Sequence, residues 1–212
     1  MARWEPNARE RLEKAAMELY RERGFDETAV ADIAGRAGLT ERTFFRYFTD
    51  KREVLFGGSL ALQEFLAEKI AGAPDSMGSI DSVAAALEAT SPLFEERRHL
   101  AKARQAVVAA NAALQERELI KLASFASAIA YALRKRGVPD AAATLAGETG
   151  IAIFKLAFAR WVDDGRKRDL AHHVREALGE LKAVAAGRER RPVRLRGGSP
   201  VPGAKRAAHS RG

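Results

Sequence analysis

The chain has 212 residues, of which 47% are hydrophobic, and it carries a formal net charge of +8 with no cysteine. This length supports one or two domains with a substantial core, and the lack of cysteine excludes disulfides, thiolate metal sites and a cysteine nucleophile. The excess charge lies at the end of the chain. Residues 188–212 hold eight Lys or Arg and one acidic residue, which leaves 28 basic and 27 acidic residues, or +1, for residues 1–187. Global charge is therefore a weak argument for nucleic-acid binding.

The first predicted helix begins at Asn7, whose side chain could cap it while Glu10 reaches back in a capping box. Its apolar residues follow the spacing of one buried helical stripe. They are Leu12, Ala15, Ala16, Leu19 and Tyr20. Gly24 is expected to end the helix because glycine accepts a positive φ.

Residues 28–51 predict a helix, a tight turn and a second short helix. Thr28 is the predicted N-cap of the first helix and Gly38 its end, and Thr40 is the predicted N-cap of the second. Only Leu39 separates the glycine stop from the second cap, which is the turn length of a helix-turn-helix motif.

The second short helix divides into two faces at about 100° per residue. One face holds Phe44, Phe45 and Phe48, which we expect to pack inward. The other holds Arg42, Thr43, Arg46 and Tyr47. Guanidinium and hydroxyl groups on a narrow helix suit the major groove of DNA. The alternative is an ordinary solvated helix face.

The motif G-L-T-x-x-T-F-F-R-Y-F-x-x-K-x-x-L resembles the DNA-binding signature of the tetracycline-repressor-like (TetR) family, specifically over residues 7–55. The resemblance implies that Arg42 and Thr43 approach base edges. It implies phosphate contacts for Thr40, Tyr47 and Lys51, with Arg46 able to do either. The complete predicted DNA-binding set is Thr28, Thr40, Arg42, Thr43, Arg46, Tyr47 and Lys51. Many relatives have tyrosine where this chain has Phe45, and we assign Phe45 to the core.

The rest of the chain predicts helices only. Asp50 and Glu53 form a second capping-box spacing, and the helix that they start runs to Ile70 with the pair Gly57-Gly58 as a soft point inside it. Further predicted helix starts are Ser91-Pro92 and Asn111, and the helix from Asn111 ends at residues 137–139. Its predicted buried stripe is Leu119, Leu122, Ile129 and Leu133.

Two late helices have more apolar surface than one small domain is expected to cover. Residues 148–161 are apolar on several sides, and the helix at 169–186 has a clear apolar stripe. We assign both to a two-fold homodimer interface, with Phe158 and Leu181 as residues at which a charge would disrupt it. The alternative is an ordinary internal core.

The predicted organisation is all-α, with three segments. Residues 1–52 form a three-helix helix-turn-helix domain, residues 53–187 a helical bundle for effector binding and dimerisation, and residues 188–212 a basic, disordered tail. The N-terminus lacks a signal-peptide pattern and no uncharged run reaches about 20 residues, so a cytoplasmic location without membrane association is expected.

No motif indicates an enzyme, a cofactor or a metal site. His172, His173 and Glu176 are metal-capable, but adjacent histidines diverge by about 100° on a helix, so a solvated face is the preferred interpretation. The resemblance implies a palindromic DNA operator, a homodimer, and a small-molecule effector held by the second domain. The alternative is a helical interaction protein whose helix-turn-helix no longer reads DNA.

The TFFRYF variant is similar to a TetR subgroup that responds to acyl-thioester-type ligands, and Arg98 and Arg104 could meet an anionic effector. The candidate effector residues, most of them expected in the core, are Phe65, Phe94, Arg98, Arg104, Phe125, Tyr131, Phe158 and Trp161.

Overall fold

The computed structural model describes residues 7–188, and every regular element in that range is an α-helix. The expectation of an all-α fold is confirmed. The predicted tail lies almost wholly outside the described residues. The helices are α1 (Ala8–Arg23), α2 (Val30–Arg36), α3 (Glu41–Tyr47), α4 (Glu53–Phe56), α5 (Ser59–Ala71), α6 (Ser79–Ala89), α7 (Ser91–Glu95), α8 (Arg98–Ala109), α9 (Ala112–Lys135), α10 (Asp140–Asp163) and α11 (Leu170–Ala185).

The first three helices enclose a core to which each contributes. Leu12 of α1, Ile33 of α2 and Phe44 of α3 are fully buried within it. This core is not closed by residues 7–52 alone, because Val107 and Leu114 also belong to it. The C-terminal end of α8 and the start of α9 therefore complete the packing of the N-terminal unit. The predicted boundary after residue 52 stays a prediction.

Polar contacts join the two parts of the chain at the same place. Arg104 of α8 donates from Nε to the Leu55 carbonyl at 2.7 Å and pairs with Glu118 at 2.9 Å. Glu53 at the start of α4 accepts from Arg117 and lies 3.5 Å from the Lys121 ammonium. A movement of α8 or α9 would therefore act directly on α4 through these contacts.

The helix predicted to run through Gly57-Gly58 is broken there. α4 ends at Phe56, and Gly58 has φ +85°, a conformation that helical residues do not adopt. The expectation of a soft point inside a continuous helix is therefore wrong. An alanine at Gly58 would strain a turn.

Helix α10 is the centre of the C-terminal bundle and packs against α6, α8, α9 and α11. Its approach to α9 is close, because a β-carbon added at Gly147 would lie 2.5 Å from the Ala126 carbonyl oxygen. Within residues 7–188, α10 is also the one helix long and apolar enough to span a membrane by length and composition. Its full burial at Ala143, Ala157 and Trp161 is that of a core helix.

Other details of the sequence interpretation differ from the structure. Asn7 precedes α1 but makes no capping bond with its side chain, and the N-cap of α2 is Ala29, whose N–H donates to Asp32 at 3.1 Å. Leu119, assigned to a buried stripe, is 60% exposed. The caps at Thr40 and Asn111 and the helix start at Ser91 are as predicted.

Candidate nucleic-acid interface

The turn between α2 and α3 is built by local and long-range contacts. Thr40 accepts a hydrogen bond from the Thr43 N–H at 3.2 Å, and Gly38 takes φ +65°. Arg11 of α1 donates to the Ala37 carbonyl at 2.5 Å and so braces the end of α2. Sequence reasoning missed Arg11, because its partner lies 26 residues away and leaves no local signal.

The outward face of α3 presents the two predicted arginines. Arg42 and Arg46 are exposed, whereas Thr43 and Tyr47 are half-buried at its edge. Arg46 lies 4.9 Å from the Tyr47 ring centre and donates to the Tyr47 hydroxyl at 3.2 Å. Within residues 7–188, no hydrogen bond or ion pair engages Arg42. Its guanidinium is thus available for a bidentate contact.

Phe45 does not belong to the core to which the sequence interpretation assigned it. Phe44 and Phe48 are buried, but Phe45 is 54% exposed on the same outward face as the arginines. On a helix, Phe45 lies about 60° from Phe48 and about 60° from Arg42, so periodicity alone leaves its side undecided. The packing of α3 against α1 and α2 decides it.

Two residues of the predicted DNA-binding set, Thr28 and Lys51, make hydrogen bonds within the protein. Thr28 is 1% exposed and donates its hydroxyl hydrogen to the Gly24 carbonyl at 2.8 Å. Lys51 donates to the carbonyls of Phe25, Asp26 and Thr28 at 2.8, 3.1 and 2.9 Å. All three ammonium hydrogens therefore have partners within the chain, and the phosphate contact assigned to Lys51 stays a prediction. Lys51 ties the loop before α2 to the segment after α3.

Tyr20 supports the same junction from α1. Its hydroxyl donates to the Lys51 carbonyl at 2.6 Å. Burial, with a smaller contribution from the Asp50 carboxylate, raises the pKa of Tyr20, so the phenol keeps the proton that it donates. The position of α3 is thereby fixed from two sides.

The two arginines proposed for an anionic effector are also engaged. Arg98 donates to the backbone carbonyls of Arg168, Trp161 and Asp164 at 2.8, 2.9 and 3.3 Å. It therefore caps the C-terminal end of α10. Arg104 is bound to Leu55 and Glu118, as described above, and neither guanidinium is available to a ligand in this structure.

The aromatic effector candidates fall into different environments. Phe94, Phe158 and Trp161 join Phe154 in one cluster, with ring centres of adjacent members 5.4–6.1 Å apart. Trp161 is fully buried and donates its indole N–H to Glu95 at 2.5 Å. Phe65 and Phe125 are half-buried, whereas Tyr131 is 58% exposed. The structure does not bring all the candidates to one pocket.

A surface groove of about 640 Å³ lies between α10 and α11, and no effector candidate lines it. His173 lines this groove and is buried, so its assignment to a solvated face is wrong. It lies 3.1 Å from Asp164, whose pKa the Arg168 guanidinium holds well below its usual range. Within residues 7–188, no group of His, Cys, Asp and Glu side chains is arranged to hold a metal ion.

Comparison with known proteins agrees with this geometry. Residues 12–56, which contain α2, α3 and their turn, match the family model for bacterial regulatory proteins of the tetR family. A candidate transcriptional regulator of mycofactocin biosynthesis, MftR, from Mycobacterium tuberculosis is 28% identical over 84% of this chain and 90% of its own length.

Solved structures extend the likeness to both parts of the chain. The TetR-family repressor FadR from Thermus thermophilus, in complex with lauroyl-CoA, is 25% identical with a TM-score of 0.51 over 90% of this chain and 100% of its own. FadR from Bacillus subtilis, in complex with stearoyl-CoA, is 20% identical with a TM-score of 0.58 over 81% of this chain and 96% of its own, and shares the fold. The helix-turn-helix geometry and the family match over residues 12–56 together identify a DNA-binding unit of the tetR family, and the chain as a whole is similar to TetR-family transcriptional regulators.

Proposed function

We propose that the protein is a homodimeric repressor that binds a palindromic operator and leaves it when a small-molecule effector binds the C-terminal helices. It acts in the cytoplasm and is not an enzyme. The observation that carries the proposal is the outward face of α3, where Arg42 and Arg46 are exposed on the helix that follows the turn braced by Arg11. Thr40, Thr43 and Tyr47 at the edge of this face are the proposed supporting contacts to phosphate and base.

Sequence-specific binding to an operator is tested by DNA selection and by a variant of Arg42. DNA selected from random sequence should yield one palindromic site, and Arg42→Ala should weaken binding to it by about 1–3 kcal/mol, or roughly 5- to 150-fold, because a bidentate arginine contact to guanine is lost. Affinity for scrambled DNA should change far less. Fluorescence anisotropy with both DNAs measures the two effects.

A matched control removes the same charge elsewhere. Arg134 lies in the last turn of α9, at the end opposite the N-terminal unit. The Arg134→Ala variant should therefore leave operator affinity unchanged. Equal loss on operator and scrambled DNA for Arg42→Ala would contradict base reading by this residue. Failure to select any sequence would instead favour the alternative, a helical interaction protein that does not read DNA.

The dimer proposal rests on the outer faces of α10 and α11. Leu145 and Leu156 of α10 are 69% and 40% exposed, and Val184 of α11 is 59% exposed. Exposed Ala152 and Ala159 continue the α10 face. Phe158, chosen from the sequence as an interface residue, lies instead in the aromatic cluster within one chain, so Leu156 is the better site for a test.

For the effector, we propose a long-chain acyl-CoA. The proposal is supported by the likeness to FadR from Thermus thermophilus, which was crystallised with lauroyl-CoA. It is also supported by the half-buried rings of Phe94, Phe154 and Phe158 between α7 and α10, since acyl chains need apolar walls. Arg98 and Arg104 would not bind the phosphates, because their hydrogen bonds are used within the chain.

Saturating lauroyl-CoA should therefore lower operator affinity by about 5- to 150-fold, the usual range of coupling between two sites. Coenzyme A without an acyl chain should have no effect, because the apolar contacts are missing. Anisotropy titrations of the operator complex with both compounds measure this. Constant affinity up to saturating lauroyl-CoA would rule out this class of effector.

A further inference from the structure

The starting observation is the position of Phe45 on the outward face of α3. Its side chain is 54% exposed, while the neighbouring Phe44 and Phe48 fill the core beneath it. The Phe45 ring meets the Phe44 ring edge to face, with centres 5.5 Å apart and planes at 85°. Phe45 is therefore supported from below by a buried ring and faces outward beside Arg42.

The chemistry of this ring differs from that of every other side chain on the face. It has no donor or acceptor, so it cannot bind a phosphate or the polar edge of a base. In the major groove, the apolar group that distinguishes one base is the C5-methyl of thymine. We propose that Phe45 is a specificity-determining residue that selects thymine in each operator half-site by covering this methyl group.

Neighbouring residues are less suited to the same task. The Thr43 hydroxyl lies 3.1 Å from the Thr40 hydroxyl at the helix cap, and Thr43 is half-buried. Tyr47 is half-buried and its hydroxyl accepts from Arg46. Within α3, Phe45 is the one large apolar side chain that is exposed. A thymine preference beside the guanines read by arginine therefore depends on Phe45.

This inference rests on the operator binding proposed above, and a single-methyl change in the DNA tests it. Each thymine of the selected operator is replaced in turn by deoxyuridine, which lacks only the methyl group. At one position of the half-site, this replacement should weaken binding of the full-length protein about fourfold, as expected for the loss of one buried methyl group. The same replacement in both half-sites should weaken binding roughly fifteenfold.

Two variants assign the effect to Phe45. Phe45→Ala should bind the thymine and deoxyuridine operators equally, because no ring remains to cover the methyl. Phe45→Leu should keep part of the discrimination. Since Phe45 is exposed, both variants should melt at the wild-type temperature, which circular dichroism checks.

Three outcomes would overturn the inference. Wild-type protein could be insensitive to deoxyuridine at every position, or Phe45→Ala could keep the full wild-type sensitivity, which would place the methyl contact on another residue. In both cases operator binding itself would stand. If no operator is selected at all, the proposed function fails together with the role of Phe45.

Discussion

Replacing Leu156 with glutamate should convert the protein to a monomer and weaken operator binding by about 100-fold or more. Leu156 lies on the outer face of α10, and burying a carboxylate there against a second copy would cost several kcal/mol. A palindromic operator is held by two recognition helices at once, and linking two binding events in this way raises affinity by about 10²–10⁴. Sedimentation equilibrium and operator titration measure the two consequences.

The control is Leu60→Glu, since Leu60 is 68% exposed on α5, away from α10 and α11. This variant should stay dimeric and bind the operator normally. Because the Leu156 side chain is 40% exposed within one chain, we expect the Leu156→Glu monomer to stay folded. Thermal melts of both variants check this. A wild-type monomer at micromolar concentration, or a dimeric Leu156→Glu, would contradict the proposed interface.

Trp161→Ala should lower the free energy of unfolding by about 3–5 kcal/mol, the usual cost of emptying a buried aromatic site. Trp161 is fully buried, and its ring centre lies 5.4 Å from that of Phe158 and 5.0 Å from the Arg98 guanidinium carbon. Tyr131→Ala should change stability by less than about 0.5 kcal/mol, because Tyr131 is largely exposed. Urea unfolding monitored by circular dichroism compares the two.

Comparing the Trp161→Ala and Tyr131→Ala variants shows which aromatic effector candidates stabilise the bundle core. Trp161→Phe refines the test, because it keeps most of the packing and removes the hydrogen bond to Glu95. We expect it to cost about 0.5–1.5 kcal/mol. Similar stability losses for Trp161→Ala and Tyr131→Ala would mean that Trp161 is less important to the bundle core than its burial indicates.

Sequence alone predicted the helix ends that depend on neighbouring residues. Thr40 and Asn111 each accept a hydrogen bond from an N–H three residues later, as their residue types and positions indicate. Gly24 and Gly38 take the positive φ expected where a helix stops. The all-α fold and the exposed arginines of α3 followed from the same local patterns.

Only the tertiary structure decided where the longer polar side chains go. The carbonyls that bind Lys51 are 23–26 residues away in sequence, and those that bind Arg98 are 63–70 residues away. A lysine before a helix and an arginine in a helical bundle both appear available for a ligand until the fold places backbone acceptors beside them. Buried acceptors require a donor, so such cations are bound within the protein.

Helix packing likewise decided what periodicity left open. Phe45 lies between the two faces of α3, and only the contacts of α3 with α1 and α2 turn it outward. Gly147 gives no local signal, yet it permits α10 to approach the Ala126 carbonyl. The sequence therefore determined the helices and the motif they form, because those depend on residues within one or two turns. The partners of Lys51, Arg98, Phe45 and Gly147 depend on distant segments meeting in a close-packed interior, so only the folded chain could reveal them.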